Sequence, residues 1–175
     1  MEMILFIIIS IALPLIAAVI EHSSEAEMSE RHHRHHDTYV FPSAALRSIV
    51  ASMIFASAVG FILSWLCYLG VFNVSLLIVP AFISSYLTVS FCLWVALRRY
   101  RVVTYADHMF IAPLVGPTVK VLYQDISSLK WMSVLRGPYN ASLEVWVAGR
   151  RAAIIWSNVD IDQILMRIDR YDVLE

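Results

Sequence analysis

Long apolar runs joined by short polar connections fill the first hundred residues. The runs cover residues 3–20, 46–69 and 76–97, and their only charged residue is Arg47. Each run has about 18 residues or more, the length that a helix needs to cross about 30 Å of hydrocarbon at about 1.5 Å per residue. The pattern therefore predicts three transmembrane helices.

After residue 97 the pattern changes to short strand-like segments separated by turn residues. The predicted strands are residues 101–105, 109–112, 118–122, 129–134, 143–148 and 152–156. A helix from Asp160 to about Tyr171 closes the chain, capped by Asn158 or Asp160. Its apolar stripe has helical spacing and consists of Ile161, Ile164, Leu165 and Ile168.

These elements predict an α + β membrane protein, in which three transmembrane helices precede a small antiparallel β-barrel or sheet capped by a C-terminal helix. The predicted divisions are a first transmembrane helix (1–20), a histidine-rich loop (21–45), a transmembrane hairpin (46–97) and a β module (98–175).

Composition and motifs narrow the class of function. Apolar residues make up 59% of the chain and charged residues 15%, against about 25% charged in soluble domains. The net charge of −1 predicts no nucleic-acid partner. The sequence has no phosphate-binding glycine loop, nucleophile elbow or zinc-protease motif, so we expect no enzymatic activity. His108 follows Asp107 and is interpreted as a turn residue rather than a catalytic base.

The distribution of positive charge predicts the orientation. A basic cluster with Arg98, Arg99 and Arg101 follows the third run, and such residues remain cytoplasmic. The N-terminus is then outside, and all 13 Lys and Arg residues lie on the cytoplasmic side. The first run lacks the basic start of a signal peptide and is expected to remain as a helix. Arg47 joins the cluster as a fourth basic residue at the membrane interface.

Small residues four apart mark one face of the second run. They are Ser52, Ala56, Gly60 and Ser64, a spacing that lets another helix approach closely. The face predicts packing within the hairpin, or against a second copy or a partner subunit.

The loop of residues 21–45 carries a histidine cluster of His32, His33, His35 and His36. Imidazoles four apart can hold a divalent metal such as zinc, with Glu30 or Asp37 completing the shell. Arg31 and Arg34 oppose cation binding, so contact with anionic lipid and a solvated connector remain alternatives. No other cofactor is expected.

Two short motifs resemble the membrane-anchored bacterial PH-like domain family, in which a two-span hairpin leads directly into a PH-like domain. They are Tyr100-Arg101-Val102-Val103-Thr104 and the segment Val-Leu-Tyr-Gln-Asp-Ile-Ser-Ser-Leu at residues 121–129. The resemblance implies a PH-like barrel on the inner face of a bacterial plasma membrane, without a catalytic residue. The chain departs from the family in its first helix and in Pro-Leu-Val-Gly-Pro at residues 113–117, which replaces a hairpin rich in Gly and Arg.

The function predicted from these features is a non-enzymatic membrane scaffold or assembly protein, which presents its cytoplasmic module to protein partners. We expect a homo-oligomer or a subunit of a membrane complex. Basic residues in the module are too dispersed for specific phosphoinositide recognition, since only Arg150 and Arg151 are adjacent. The alternative is a metal- or pH-responsive accessory protein acting through the histidine cluster, residues 32–36.

Overall fold

The structure, a computed structural model, describes residues 2–28, 37–72, 74–133 and 141–174. These residues form two compact units. The helical unit contains described residues up to 28 together with those of 43–95, and the β module contains residues 37–42 with the described part of 96–174.

Three long helices make up most of the helical unit. They are α1 (Glu2–Met28), α2 (Ser43–Tyr68) and α3 (Ile78–Arg99). All three are long and apolar enough to cross a membrane, which supports the prediction of a membrane-spanning protein. Helix α1 continues past the predicted end at residue 20, because no Gly or Pro interrupts the polar residues that follow.

The β module contains two separate antiparallel sheets. The four-stranded sheet has the order β1 (Asp37–Val40), β2 (Arg101–Thr104), β3 (His108–Ala112) and β4 (Val119–Leu122). The three-stranded sheet has the order β5 (Ile126–Ser133), β6 (Ala141–Val147) and β7 (Arg150–Ile155). The six strands predicted after residue 100 are all present, with ends that differ by a few residues.

A closed barrel, one of the two forms expected, is not formed. No ladder joins the two sheets within the described part of the chain. A 3₁₀ turn at Tyr123–Asp125 redirects the chain from β4 to β5 instead of continuing the pairing.

Strand β1 was not predicted, since it falls within the loop assigned to residues 21–45. It pairs antiparallel with β2, Asp37 opposite Thr104 and Val40 opposite Arg101. Four residues are too few for a visible alternation, and the pairing partner follows more than 60 residues later. The pairing places the segments before α2 and after α3 in one sheet, and therefore on the same side of any membrane that α2 and α3 cross.

The core of the module lies between the inner faces of the sheets and a short helix, α4 (Ile161–Ile168). The four apolar residues of the predicted stripe are all buried. The side chain of Asp160 caps the helix by accepting a hydrogen bond from the Gln163 N–H at 3.1 Å. Of the two predicted caps, Asp160 is therefore the one used.

A tight turn joins β6 and β7. Its central residues are Ala148 and Gly149, with φ of 48° and 74°. Two positive φ values in a two-residue loop are typical of a type I′ turn, whose twist matches that of the strands. The sequence placed this turn one residue later, at Gly149 and Arg150.

Candidate interaction surfaces

Among the small residues of α2, Gly60 and Ser52 contact helix α3. Gly60 and Ser64 are buried, and Ser52 and Ala56 are half-buried. A Cβ on Gly60 would lie 2.8 Å from Cγ2 of Ile83 on α3. Such a distance is shorter than real Cβ contacts, so the absence of a side chain at Gly60 is what allows Ile83 this close.

Further contacts hold the three helices together. The Tyr86 hydroxyl of α3 donates a hydrogen bond to Oγ of Ser52 at 3.3 Å. The rings of Phe6 on α1 and Phe61 on α2 lie with centroids 5.3 Å apart. Contacts of this kind fit helix packing in lipid, where close van der Waals contact and hydrogen bonds replace the hydrophobic effect.

The predicted interfacial arginines lie at helix and strand ends. Arg98 and Arg99 are in the last turn of α3, Arg101 begins β2, and Arg47 is in the first turns of α2. Arg47, Arg99 and Arg101 are exposed, whereas Arg98 is half-buried. The Arg99 guanidinium donates a hydrogen bond to the backbone carbonyl of Gly116.

The histidine cluster of His32, His33, His35 and His36 lies outside the described residues, so its metal site stays a prediction. Across residues 2–28, 37–72, 74–133 and 141–174, no group of three or more His, Cys, Asp or Glu side chains could hold a metal ion.

A cluster of aromatic rings lies around the hairpin between β2 and β3. We call it the aromatic patch, and it consists of Tyr105, His108, Phe110 and Lys120. Met109 and Ile111 of β3 are fully buried, so His108 and Phe110 belong to the opposite, outer face of the strand. Tyr105, His108 and Phe110 are half-buried and Lys120 is exposed.

The rings of the aromatic patch pack closely. Tyr105 and His108 stack almost in parallel with centroids 4.8 Å apart. Phe110 meets both edge-on, at 5.8 Å from Tyr105 and 5.2 Å from His108. Lys120 Nζ lies 5.8 Å from the Phe110 ring centroid, within reach of a cation–π interaction.

Hydrogen bonds fix the backbone beneath the patch. The Tyr105 N–H donates to the His108 carbonyl at 2.8 Å, and the Tyr123 hydroxyl donates to the Tyr105 carbonyl at 2.9 Å. Burial raises the pKa of Tyr123 to about 12, so this hydroxyl remains a neutral donor at physiological pH. These bonds fix the backbone of the hairpin that carries the patch.

Asp107 adds a negative charge beside the patch. Its Oδ1 lies 2.5 Å from Nδ1 of His108, and this hydrogen bond lowers the pKa of the Asp107 carboxyl. His108 was interpreted from the sequence as a turn residue, but it begins strand β3 and stacks on Tyr105. The alternation of His108 and Phe110 with two buried residues was the sequence signal for this surface.

The outer face of the three-stranded sheet carries polar side chains that form hydrogen bonds with one another. Glu144 accepts hydrogen bonds from Arg151 Nη1 at 2.9 Å and from Trp146 Nε1 at 3.1 Å. The bond from Arg151 is the main reason that the pKa of Glu144 is lowered. Lys130 Nζ lies 5.7 Å from the Trp146 ring. Of the adjacent pair Arg150-Arg151, Arg151 is thus engaged with Glu144.

Comparison with protein-family models, with curated proteins and with solved structures finds no match to this chain.

Proposed function

We propose that this chain is a non-enzymatic integral membrane scaffold, which presents a cytoplasmic PH-like module to protein partners through its aromatic patch. The observation that carries the proposal is the packing of Tyr105, His108 and Phe110 on the outer face of the sheet, with centroids 4.8–5.8 Å apart. Rings that only filled the core would lie on the inner face, with Met109 and Ile111.

The composition of the patch favours a protein partner. Protein interfaces are enriched in aromatic residues at their centre and in polar groups at their rim. Here the three rings form the centre, Lys120 of the patch supplies a positive charge, and Asp107 beside the patch supplies a negative one. Because the hairpin is fixed by hydrogen bonds, docking orders few groups and loses little conformational entropy.

The order of elements supports a PH-like module. Strands β2 to β7 follow the hairpin in the order that the family resemblance implies, and α4 then covers the core. The chain differs in the source of one edge strand, since β1 comes from the segment between α1 and α2. It also differs in having two separate sheets.

The location is proposed from charge and connectivity together. Residues 37–40 and 101–104 share one sheet, so the connection between α1 and α2 lies on the same side as the module. Arg47, Arg98, Arg99 and Arg101 flank the helices on that side, which favours the cytoplasm and an external N-terminus. The family resemblance suggests a bacterial plasma membrane.

The test compares the intact protein with Phe110→Ala, purified in mild detergent from its native membranes. We expect a discrete assembly with a second copy or a partner subunit, and we expect Phe110→Ala to lose it. Met166→Ala is the matched control, because Met166 is an exposed apolar residue on α4, at 69% exposure. The mass of each purified species is measured together with its metal content.

An assembly that survives Phe110→Ala would contradict docking through the patch. A monomeric intact protein carrying stoichiometric metal would contradict the scaffold and favour the accessory role of the histidine cluster. Thermal unfolding of both variants checks that the module remains folded.

A further inference from the structure

We propose that the loop of residues 113–117, between β3 and β4, inserts into the surface of the lipid bilayer and holds the β module against it. The inference concerns the orientation of the module and does not depend on which protein docks on the aromatic patch.

The loop has no polar side chain. Its sequence is Pro-Leu-Val-Gly-Pro, and Val115 at its tip is 84% exposed, more than any other large apolar side chain that the structure describes. Leu114 packs instead against the core of the module. Leu114 therefore points into the module while Val115 projects outward. In water the apolar Val115 side chain would stay exposed, whereas in a lipid bilayer it would be buried.

The loop lies at the end of the sheet from which the chain enters the helices. Val40 ends β1 and α2 begins at Ser43, while α3 ends at Arg99 and β2 begins at Arg101. Arg101 pairs with both Val40 and Ala112, and the loop starts immediately after Ala112. The connections to two membrane-spanning helices and the loop thus share one end of the sheet.

A direct contact ties the loop to the end of α3. The guanidinium of Arg99, the last residue of that helix, donates a hydrogen bond to the carbonyl of Gly116. Arg98 and Arg99, in the last turn, are the only charged residues among the 22 of helix α3, so we place this end of the helix at the depth of the lipid headgroups. A loop bonded to Arg99 lies at that same depth.

The charges on the sheet add attraction to an anionic lipid surface, beside the apolar contact that the tip makes with any bilayer. Arg99 and Arg101 are exposed at the loop end. At the opposite end the sheet carries the acidic residues Asp37 and Asp107. Basic residues beside an apolar tip are typical of segments that lie in the membrane interface.

The backbone conformation of the loop is restricted before it inserts into the bilayer. Gly116 has a φ of 112°, a conformation that a residue with a side chain rarely adopts. Prolines at both ends of the loop fix two further φ angles. The loop therefore loses little conformational freedom when it enters the interface.

The experiment places an environment-sensitive fluorophore on Val115→Cys in the full chain, in nanodiscs that contain spin-labelled lipid as the quencher. Cys67 and Cys92 are replaced by Ala in all variants so that the label is unique. Ala106→Cys is the matched control, an exposed position in the turn at the opposite end of the same sheet. We expect blue-shifted emission and several-fold stronger quenching at residue 115 than at residue 106.

Lipid composition separates apolar insertion from charge attraction. Strong quenching at residue 115 in nanodiscs of neutral phosphatidylcholine alone, and also with added phosphatidylglycerol, supports insertion. Quenching no greater than at residue 106 would overturn it. Quenching that requires phosphatidylglycerol would also overturn it and assign the contact to the arginines. Pro117→Cys, exposed in the same loop, replaces Val115→Cys if that variant does not fold.

Discussion

The hydroxyl of Tyr100 accepts a hydrogen bond from the backbone N–H of Trp156 at 3.0 Å. Tyr100 is the one residue between α3 and β2, and Trp156 directly follows β7, the last strand. Tyr100 is only 1% exposed and belongs to the core cluster of the module. The bond thus joins the point where the chain leaves α3 to the end of the second sheet.

Replacing Tyr100 by Phe should lower the free energy of unfolding at neutral pH by about 1–2 kcal/mol, because the Trp156 N–H loses its acceptor. Thermal or urea unfolding in detergent, followed by tryptophan fluorescence, measures the change. Tyr171→Phe, at an exposed tyrosine, is the control and should have no effect.

The same residue predicts a loss of stability in alkali. Burial raises the pKa of Tyr100 to about 12, whereas the unfolded chain has a tyrosine pKa of about 10. The unfolded state therefore releases its proton first, and stability falls as the pH rises from about 10 to about 12. The contribution of Tyr100 has a slope of up to about 1.4 kcal/mol per pH unit. Tyr100→Phe should flatten this dependence, and an unchanged slope would contradict the assignment.

Gly60→Ala should destabilise the packing of α2 against α3. The added methyl would lie 2.8 Å from Cγ2 of Ile83, and overpacking of this kind costs about 1–3 kcal/mol. Unfolding in sodium dodecyl sulfate measures the effect. Ile83→Ala removes the clashing atoms, so the double variant should show less than the sum of the two single effects. Strictly additive effects would mean that the two residues are not in contact.

Ala148→Asn should stabilise the hairpin between β6 and β7. Ala148 has a φ of 48°, where an alanine is strained and an asparagine is well accommodated. We expect a gain of about 0.5–1 kcal/mol in the free energy of unfolding. Gly149→Ala, which places a side chain at a φ of 74°, should instead lower the free energy of unfolding. A loss of stability in Ala148→Asn would argue against the type I′ turn.

Arg170 fastens the C-terminal segment. It donates to the carbonyls of Tyr123 at 2.7 Å and Ile126 at 3.4 Å, and both oxygens of Asp172 accept from it. Lysine cannot reproduce this fork, so Arg170→Lys should speed amide hydrogen exchange in residues 171–174. Arg167→Lys is the control, since its contact with Asp37 is 3.8 Å long and exposed. Equal exchange in the two variants would show that the fork does not hold the segment.

The proposed orientation in the membrane predicts which sites a thiol reagent can reach. In a background without native cysteines, Ser75→Cys between α2 and α3 should react with a membrane-impermeant maleimide on intact cells. Ala106→Cys in the module should react only after the membrane is opened. The reverse labelling pattern would show the opposite orientation in the membrane. Equal labelling of both sites would contradict a hairpin whose turn and module lie on opposite sides of the membrane.

Hydrophobic pattern alone was sufficient to predict elements whose signal is local. Helices α2 and α3 begin and end within a few residues of the predicted runs, because an apolar stretch of that length has no other stable arrangement in lipid. The stripe of α4 and the alternation of β6 were equally clear. For the candidate site, the sequence pattern was interpreted as placing His108 in a turn, and its contacts with the rings of Tyr105 and Phe110 were not predicted.

The amino-acid sequence by itself determined that this chain has three helices suited to a membrane, a module of short strands and a closing amphipathic helix. Each of these follows from the spacing of apolar residues within one segment. Only the tertiary structure decided that Asp37–Val40 pairs with Arg101–Thr104, that two sheets form instead of a barrel, and that Arg99 holds Gly116. These features depend on contacts between residues far apart in the chain. The local pattern of apolar residues shows which face of a helix or strand is apolar. It does not show which other element packs against that face, so it cannot predict such contacts.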